Sequence, residues 1–274
     1  MDGVTHGAKI GALVALVACA GPAGAQSGVP ESTICLILPH EVVELAMPVD
    51  GVVEQLAVDR GDHVETQQVV VRLDVSLEMV ELEAARARSA SFALIEGRQA
   101  RLGFLQAEAE RTARLVERSA AAERLSEEAR MSVETARADL AEAVLARRIA
   151  GIDAEAASTR MERKTIRSPI TGVVTKRDVA VGEFRATGAP LLTVARIDRL
   201  RAEVFVPIAF HPRLQVGQEV TIVPEAPFDA DHKATIAVID HVFDAATGTF
   251  GIVMDLPNPN LTLPAGLRCR VRFD

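Results

Sequence analysis

Three kinds of hydrophobic patterning follow one another along the chain. From about residue 40 to 74, short apolar runs alternate with Pro, Gly and acidic residues, the pattern of brief strands joined by tight turns. From Leu77 to Arg163 there is no Pro, Gly occurs only at 97, 103 and 151, and Ala, Glu, Arg and Leu dominate, the composition of long helix. After about residue 165 the strand pattern returns. It continues through alternating segments such as Leu200–Val206, Glu219–Val223, Ala234–Val242 and Phe250–Met254.

The two strand regions flanking the helical one are related. Met47-Pro48-Val49-Asp50-Gly51-Val52-Val53 aligns with Ser168-Pro169-Ile170-Thr171-Gly172-Val173-Val174, an offset of 121 residues. At the same offset Val58-Asp59-Arg60-Gly61-Asp62 aligns with Val179-Ala180-Val181-Gly182-Glu183, and Val70-Val71-Arg72-Leu73 with Leu191-Leu192-Thr193-Val194. The second Gly of each copy, followed by an acid, marks a turn that a Cβ would strain. Neither copy can bury a core alone. The expectation is one small sandwich formed by residues 48–74 and 166–195 packed face to face.

Within the helical region the second half carries a 3–4 spacing of apolar residues: Ala122, Leu125, Ala129, Val133, Ala136, Leu140 and Ala143. Arg147 interrupts it, and it resumes at Ala150, Ala154, Ala157 and Met161, forming a coiled-coil seam. In the first half Ile95, Leu102, Ala109 and Val116 recur every seven residues, and Ser119 is a plausible N-cap after the turn. The pattern predicts two antiparallel helices of ~40 residues over 75–165, each about 60 Å long at 1.5 Å per residue. The competing reading is a four-helix region broken at Gly97, Gly103 and Gly151. Residues 34–47 and 196–274 are expected to form a small antiparallel barrel. The fold class is therefore mixed α and β and elongated: a long helical hairpin inserted in a β sandwich, followed by a barrel.

Composition narrows the function. The 274 residues carry a net charge of −8 with nine Phe and no Trp or Tyr, and the pI is about 5.4. This excludes a basic nucleic-acid surface and Trp or Tyr stacking platforms. At the N-terminus, Lys9 precedes the apolar run Ile10–Ala18, and Ala23-Gly24-Ala25 fits cleavage before Gln26, so residues 1–25 read as a signal peptide for export. Leu16-Val17-Ala18-Cys19 also resembles a lipobox in which Cys19 would be lipidated; both readings stay open. In an exported chain Cys35 and Cys269 invite a disulfide, but their positions at opposite ends of the mature chain make two isolated buried thiols the preferred reading.

No constellation for chemistry appears. The six His are scattered without zinc spacing, and Asp229-Ala230-Asp231-His232 reads as a solvated turn before it reads as a metal site. Ser119 and Ser168 have no adjacent base to activate them. A swinging-cofactor carrier would need a Lys at the turn after Leu73, yet none occurs from residue 10 to 163. Enzyme activity, cofactor and metal are therefore not expected.

The split repeat with an inserted helical hairpin resembles the periplasmic adaptor subunits, or membrane fusion proteins, of efflux pumps of the resistance-nodulation-division (RND) type, with a biotinyl/lipoyl-like domain as the sandwich. Asp240-His241-Val242-Phe243-Asp244-Ala245-Ala246-Thr247-Gly248-Thr249 and Asn258-Pro259-Asn260-Leu261-Thr262-Leu263-Pro264-Ala265-Gly266-Leu267 resemble family stretches in the barrel. The resemblance implies a non-catalytic adaptor that assembles as a hexamer and links an inner-membrane transporter to a TolC-type outer-membrane channel. At the hairpin tip it implies contact through Arg111, Leu115 and a Ser seven residues after the Arg motif's Leu; Ala122 stands where that Ser is expected, and Ser119 could substitute. It also implies a membrane-proximal domain, here absent or reduced to residues 32–39 plus the C-terminal strand. An adaptor of an ABC-type exporter or type I secretion system, and a free-standing periplasmic interaction protein, are the alternative readings.

Overall fold

A computed structural model describes residues 33–116 and 121–273, with the side chains of 115, 116, 121 and 122 outside the described set. The leader, Cys19, Gln26 and Ser119 lie outside the described residues. The elements in chain order are β1 (Thr33–Ala46), β2 (Gly51–Leu56), β3 (His63–Val64), β4 (Val69–Leu73), α1 (Ser76–Ala90), α2 (Ala93–Val116), α3 (Ala121–Glu162), β5 (Thr165–Arg167), β6 (Gly172–Arg177), β7 (Phe184–Arg185), β8 (Pro190–Pro207), β9 (Glu219–Pro224), β10 (His232–Ile239), β11 (Thr249–Pro257) and β12 (Arg268–Arg272).

The two copies of the repeat interlock. β2 pairs with β7 and β3 with β6, so each copy lends its short strand to the other's sheet. The backbone repeats this exchange at the 121-residue offset. Gly61 N–H donates to Val174 O and Gly182 N–H to Val53 O, both at 2.8 Å; Val174 N–H donates to Asp62 O and Val53 N–H to Glu183 O, both at 2.9 Å. Gly61 and Gly182 both have positive φ, 96° and 83°, as the turn chemistry requires. The enclosed core includes Val53, Val64, Val71 and Leu73 from one copy and Ile166, Val174, Leu191 and Val194 from the other. At Gly172 the strands approach so closely that a Cβ would lie 2.3 Å from Ala195 O.

The second core is a barrel. Its strands run in the order β1-β12-β9-β10-β11-β8, and β8 pairs again with β1 to close the ring. Alternation along β8 puts Leu200, Ala202, Val204 and Val206 inside, against Ile222, Ile236, Phe250, Ile252 and Met254. Asn258 is the buried polar fastening of its last loop. Its amide donates to Ile197 O and Leu263 O, and its side-chain oxygen accepts from Leu263 N–H.

β1 and β8 are long strands shared by both cores, which changes the expected boundaries. β1 pairs with β8 from Cys35↔Val204 to Ala46↔Pro190, with an irregularity between Pro39 and Glu41. Cys35 and Ile37 therefore point into the barrel, whereas Val43, Leu45 and Met47, expected on the barrel side, pack in the sandwich. Residues 33–38 and β12 are integral strands of the barrel, not the remnant of a separate domain, because β1 fills the gap between β12 and β8. The reading of Cys35 and Cys269 as isolated thiols is also corrected. They are directly opposed on β1 and β12, Cα–Cα 4.8 Å, and form a disulfide. Distance along the chain misled, because the first and last strands are neighbours.

The helices differ from the expected pair. The second limb is one helix, α3, but the first is two: α1 ends at Ala90 and α2 begins at Ala93. The glycine breaks of the competing reading do not occur, since Gly97 and Gly103 lie inside α2 and Gly151 inside α3. Both short helices pack on α3. Leu82 and Ala85 meet Ala157, with Ala154 and Met161 alongside, while Leu102 meets Val133 and Ala136, with Leu105, Ala109 and Leu140 alongside. Positions rising on one limb match positions falling on the other, so the limbs are antiparallel. The seam holds from Ala129 to Met161, apart from Arg147; towards the turn Leu125 is exposed and Ser126 is buried instead.

Candidate functional site

The helical arm inserted between β4 and β5 carries the contact residues expected from the sequence, so its root, shaft and distal end form the candidate site. At the root, Asp74 accepts from Ser76 N–H at 2.9 Å and from Ser76 Oγ, satisfying donors where α1 starts. These bonds hold the Asp74 carboxyl below its ordinary range, helped by the charge of Lys164 and opposed by slight desolvation. Lys164 leaves the end of α3 and meets Glu78 of α1 at 2.9 Å, with both side chains largely shielded from solvent. Burial pushes Glu78 upward, but the hydrogen bond and charge of Lys164, with backbone donation, outweigh it and leave Glu78 lowered. Lys164 also ties into the sandwich: its carbonyl accepts from Leu73 N–H at 2.9 Å. Asp50, on the turn before β2, accepts from Thr187 N–H and Thr187 Oγ1 at 2.6 and 2.7 Å. Those bonds lower its pKa, with a minor contribution from Lys164. The ammonium group at the end of the second limb thus acts on Glu78 of the first limb, on Asp74 at its root and on Asp50 of the sandwich.

Along the shaft, Arg98 of α2 donates to Asp139 of α3 at 2.9 Å, and Arg101 approaches the same carboxylate at 3.8 Å. A partly exposed pair of this kind fixes register more than it stabilises. Farther out, Arg111 is exposed on α2, one helical turn before Leu115. The backbone places Leu115 in the last turn of α2 and Ala122 in the first turn of α3, which brings the two limbs' distal ends together. Their side chains and all of Ser119 lie outside the described residues.

Other candidate residues are engaged elsewhere. Asp231, of the acidic turn before His232, forms an ion pair with Arg272. Among the described residues, no three His, Cys, Asp or Glu side chains converge as metal ligands. His211 packs edge-on against Phe243 and Phe250, each with ring centroids 5.1 Å away. Ser168 is buried and donates to Ile170 O at 2.6 Å, a turn fastening. Sequence reasoning missed the Glu78–Lys164 contact and the Phe92–Arg147 stack described below. Neither partner is near the other in sequence, although Arg147 had left a visible mark as the one interruption of the seam.

The sequence model of the RND MFP barrel-sandwich hybrid domain matches residues 41–196, which span both repeat copies and the arm. The chain is 24% identical over 255 residues to the cobalt-zinc-cadmium resistance protein CzcB of Cupriavidus metallidurans, covering 92% of this chain and 46% of that protein. It is 25% identical over 261 residues to the multidrug resistance protein MdtE of Escherichia coli, covering 90% and 63%. The chain thus spans about half to two thirds of the length of these relatives. Its fold is similar to that of MacA from Actinobacillus actinomycetemcomitans, with TM-score 0.76 at 19% identity, covering 89% of this chain and 78% of that one. With the family model covering more than half of the sequence, the chain belongs to the RND-type membrane fusion proteins.

Proposed function

We propose that this chain is a non-catalytic periplasmic adaptor that couples an inner-membrane RND transporter to a TolC-type outer-membrane channel for export. The observation that carries the reading is the arm: two helical limbs rooted in an interlocked sandwich, within a segment matched by the adaptor family. α3 has 42 residues, about 60 Å of reach. Among the described residues no helix is long and apolar enough to cross a membrane, which fits partners that supply the membrane crossings. In this reading Arg111, Leu115, Ser119 and Ala122 meet the channel at the arm's end. The barrel and the sandwich stack on neighbouring copies in a hexamer and on the transporter. The chain is exported by its leader, then either cleaved before Gln26 or anchored by a lipid on Cys19. The names of the relatives suggest divalent metal ions and drugs as the cargo classes to test first.

Affinity purification of the tagged full chain from envelope membranes tests the partners. Recovery of an RND transporter and an outer-membrane channel is expected, and Arg111→Glu should reduce recovery of the channel while keeping the transporter. Recovery of an ABC transporter instead would establish the alternative assignment. If deletion of the protein leaves cellular metal and drug accumulation unchanged, the export role fails.

A further inference from the structure

The arm is asymmetric at one height. Its first limb stops at Ala90, Ser91 has an extended backbone (φ −73°, ψ 126°), and α2 resumes at Ala93, while α3 continues unbroken from 121 to 162. Neither Gly nor Pro lies at the interruption. The apolar packing is interrupted at the same place. The cluster around Leu82, Ala85 and Ala157 and the cluster around Leu102, Val133 and Ala136 are separate. Between them Arg147 occupies a seam position that an apolar side chain would otherwise fill. Its guanidinium lies 3.8 Å from the centroid of the Phe92 ring, and Phe92 is 48% exposed.

Two packed helices resist bending in their common plane because one must lengthen while the other shortens. The hydrogen-bond ladder of each helix carries that load. At Ser91 and Phe92 the first limb has no continuous ladder: Ser91 N–H reaches back to Arg88 O at 3.3 Å, and the α2 ladder begins with Glu96 N–H on Phe92 O at 2.9 Å. At this height in-plane bending is therefore opposed by α3, which can curve gently, and by the Arg147–Phe92 stack. We propose that Ser91–Phe92 is an articulation of the arm and that Arg147, stacked on Phe92, is the catch that holds it in the observed setting. The joint divides the arm into a proximal section fixed by Glu78 and Lys164 and a distal section carrying Arg111. The distal section can then change direction in one plane while α3 stays intact. The articulation is a property of the isolated chain, so it stands or falls separately from the adaptor reading.

Hydrogen–deuterium exchange of the full chain, read by mass spectrometry, tests it. In the wild type, amides over 91–96 should exchange faster than those over 80–88 and 99–108. Arg147→Ala should raise exchange at the joint by about two- to fivefold, the factor expected from losing one exposed cation–π contact, and leave the segments around Leu82 and Leu102 unchanged. Arg147→Lys, which keeps a cation over the ring, should return most of the protection, and Phe92→Leu should behave like Arg147→Ala. Wild-type protection at 91–96 equal to that of the flanks would overturn the articulation. Unchanged exchange in Arg147→Ala, a rise spread evenly along the arm, or a Lys variant as loose as the Ala variant would overturn the catch.

Discussion

The sandwich and the arm bury their apolar residues in different ways. In the sandwich fourteen buried side chains from both repeat copies share one cluster, so each is enclosed on all sides. Along the arm buried apolar residues form two clusters of three, each a single layer between two helices, with Ala143 and Ser126 buried outside both. The same deletion should therefore cost different amounts in the two places. Leu191→Ala, at a fully buried site, should destabilise the protein by about 4 kcal/mol, near the upper end for such cavities. Leu102→Ala should cost about 2 kcal/mol, because the thin layer can collapse or admit water, and the loss should appear as local opening. Urea unfolding combined with amide exchange distinguishes the two. Equal global losses would mean that arm and sandwich unfold as one unit.

The barrel sharpens the contrast because its closing seam is covalent. β1 contacts β12 over only four residue pairs, and the Cys35–Cys269 bridge lies within that short stretch. A crosslink between the first and the last described strands, 234 residues apart, restricts the unfolded chain strongly, so replacing both cysteines by serine should cost about 3–5 kcal/mol. Exchange should rise at 33–37 and 268–272 and not in the arm. Loosening of the arm by the same variant would show that the barrel and arm are energetically coupled, against the contrast drawn above.

The sandwich can also be compared with itself. Gly61 and Gly182 occupy equivalent turns with positive φ, and a Cβ at either would meet nothing within 4 Å. The cost of Gly→Ala at each is then conformational alone, about 1–2 kcal/mol, and should be equal in the two copies by thermal or urea unfolding. A marked inequality would show that the copies contribute unequally despite their shared hydrogen-bond pattern.

How far the sequence revealed this architecture follows from the range of each interaction. The repeat was legible because the same glycines and apolar positions recur at one offset, and the interlocking hydrogen bonds follow that offset. The seam of α3 was legible because helical period is local, and Val133, Ala136, Ala143 and Ala157 are buried as expected. The disulfide was not, since it depends on β1 and β12 being neighbours, a matter of strand order. Nor was the helix break: Ala90-Ser91-Phe92-Ala93 contains no breaker, and its stacking partner Arg147 lies on the other limb. The root of the arm was hidden for the same reason, because Glu78 and Lys164 meet only when both limbs end on the sandwich.

That root supplies the smallest and most localised effect. Glu78 has a folded-state pKa below its ordinary value, so its pairing with Lys164 contributes stability above the usual carboxylate range and loses it as pH falls through the lowered folded value. Asp74 and Asp50 are shifted the same way by their hydrogen bonds to Ser76 and Thr187. Acid should therefore loosen the junction at 74–80 before it affects the sandwich core, which buries no carboxylate among its clustered residues. Lys164→Met separates the causes. Without the ammonium, the burial that already pushes Glu78 upward is no longer outweighed, so its carboxyl should titrate at higher pH than in the wild type. Asp74, held chiefly by Ser76, should move less. NMR titration of the two carboxyls reads both shifts directly. A Glu78 titration unchanged in Lys164→Met would mean that the ammonium does not hold the carboxylate, and that the Asp74–Ser76 bonds and the Leu73 backbone bond are what tie the root together.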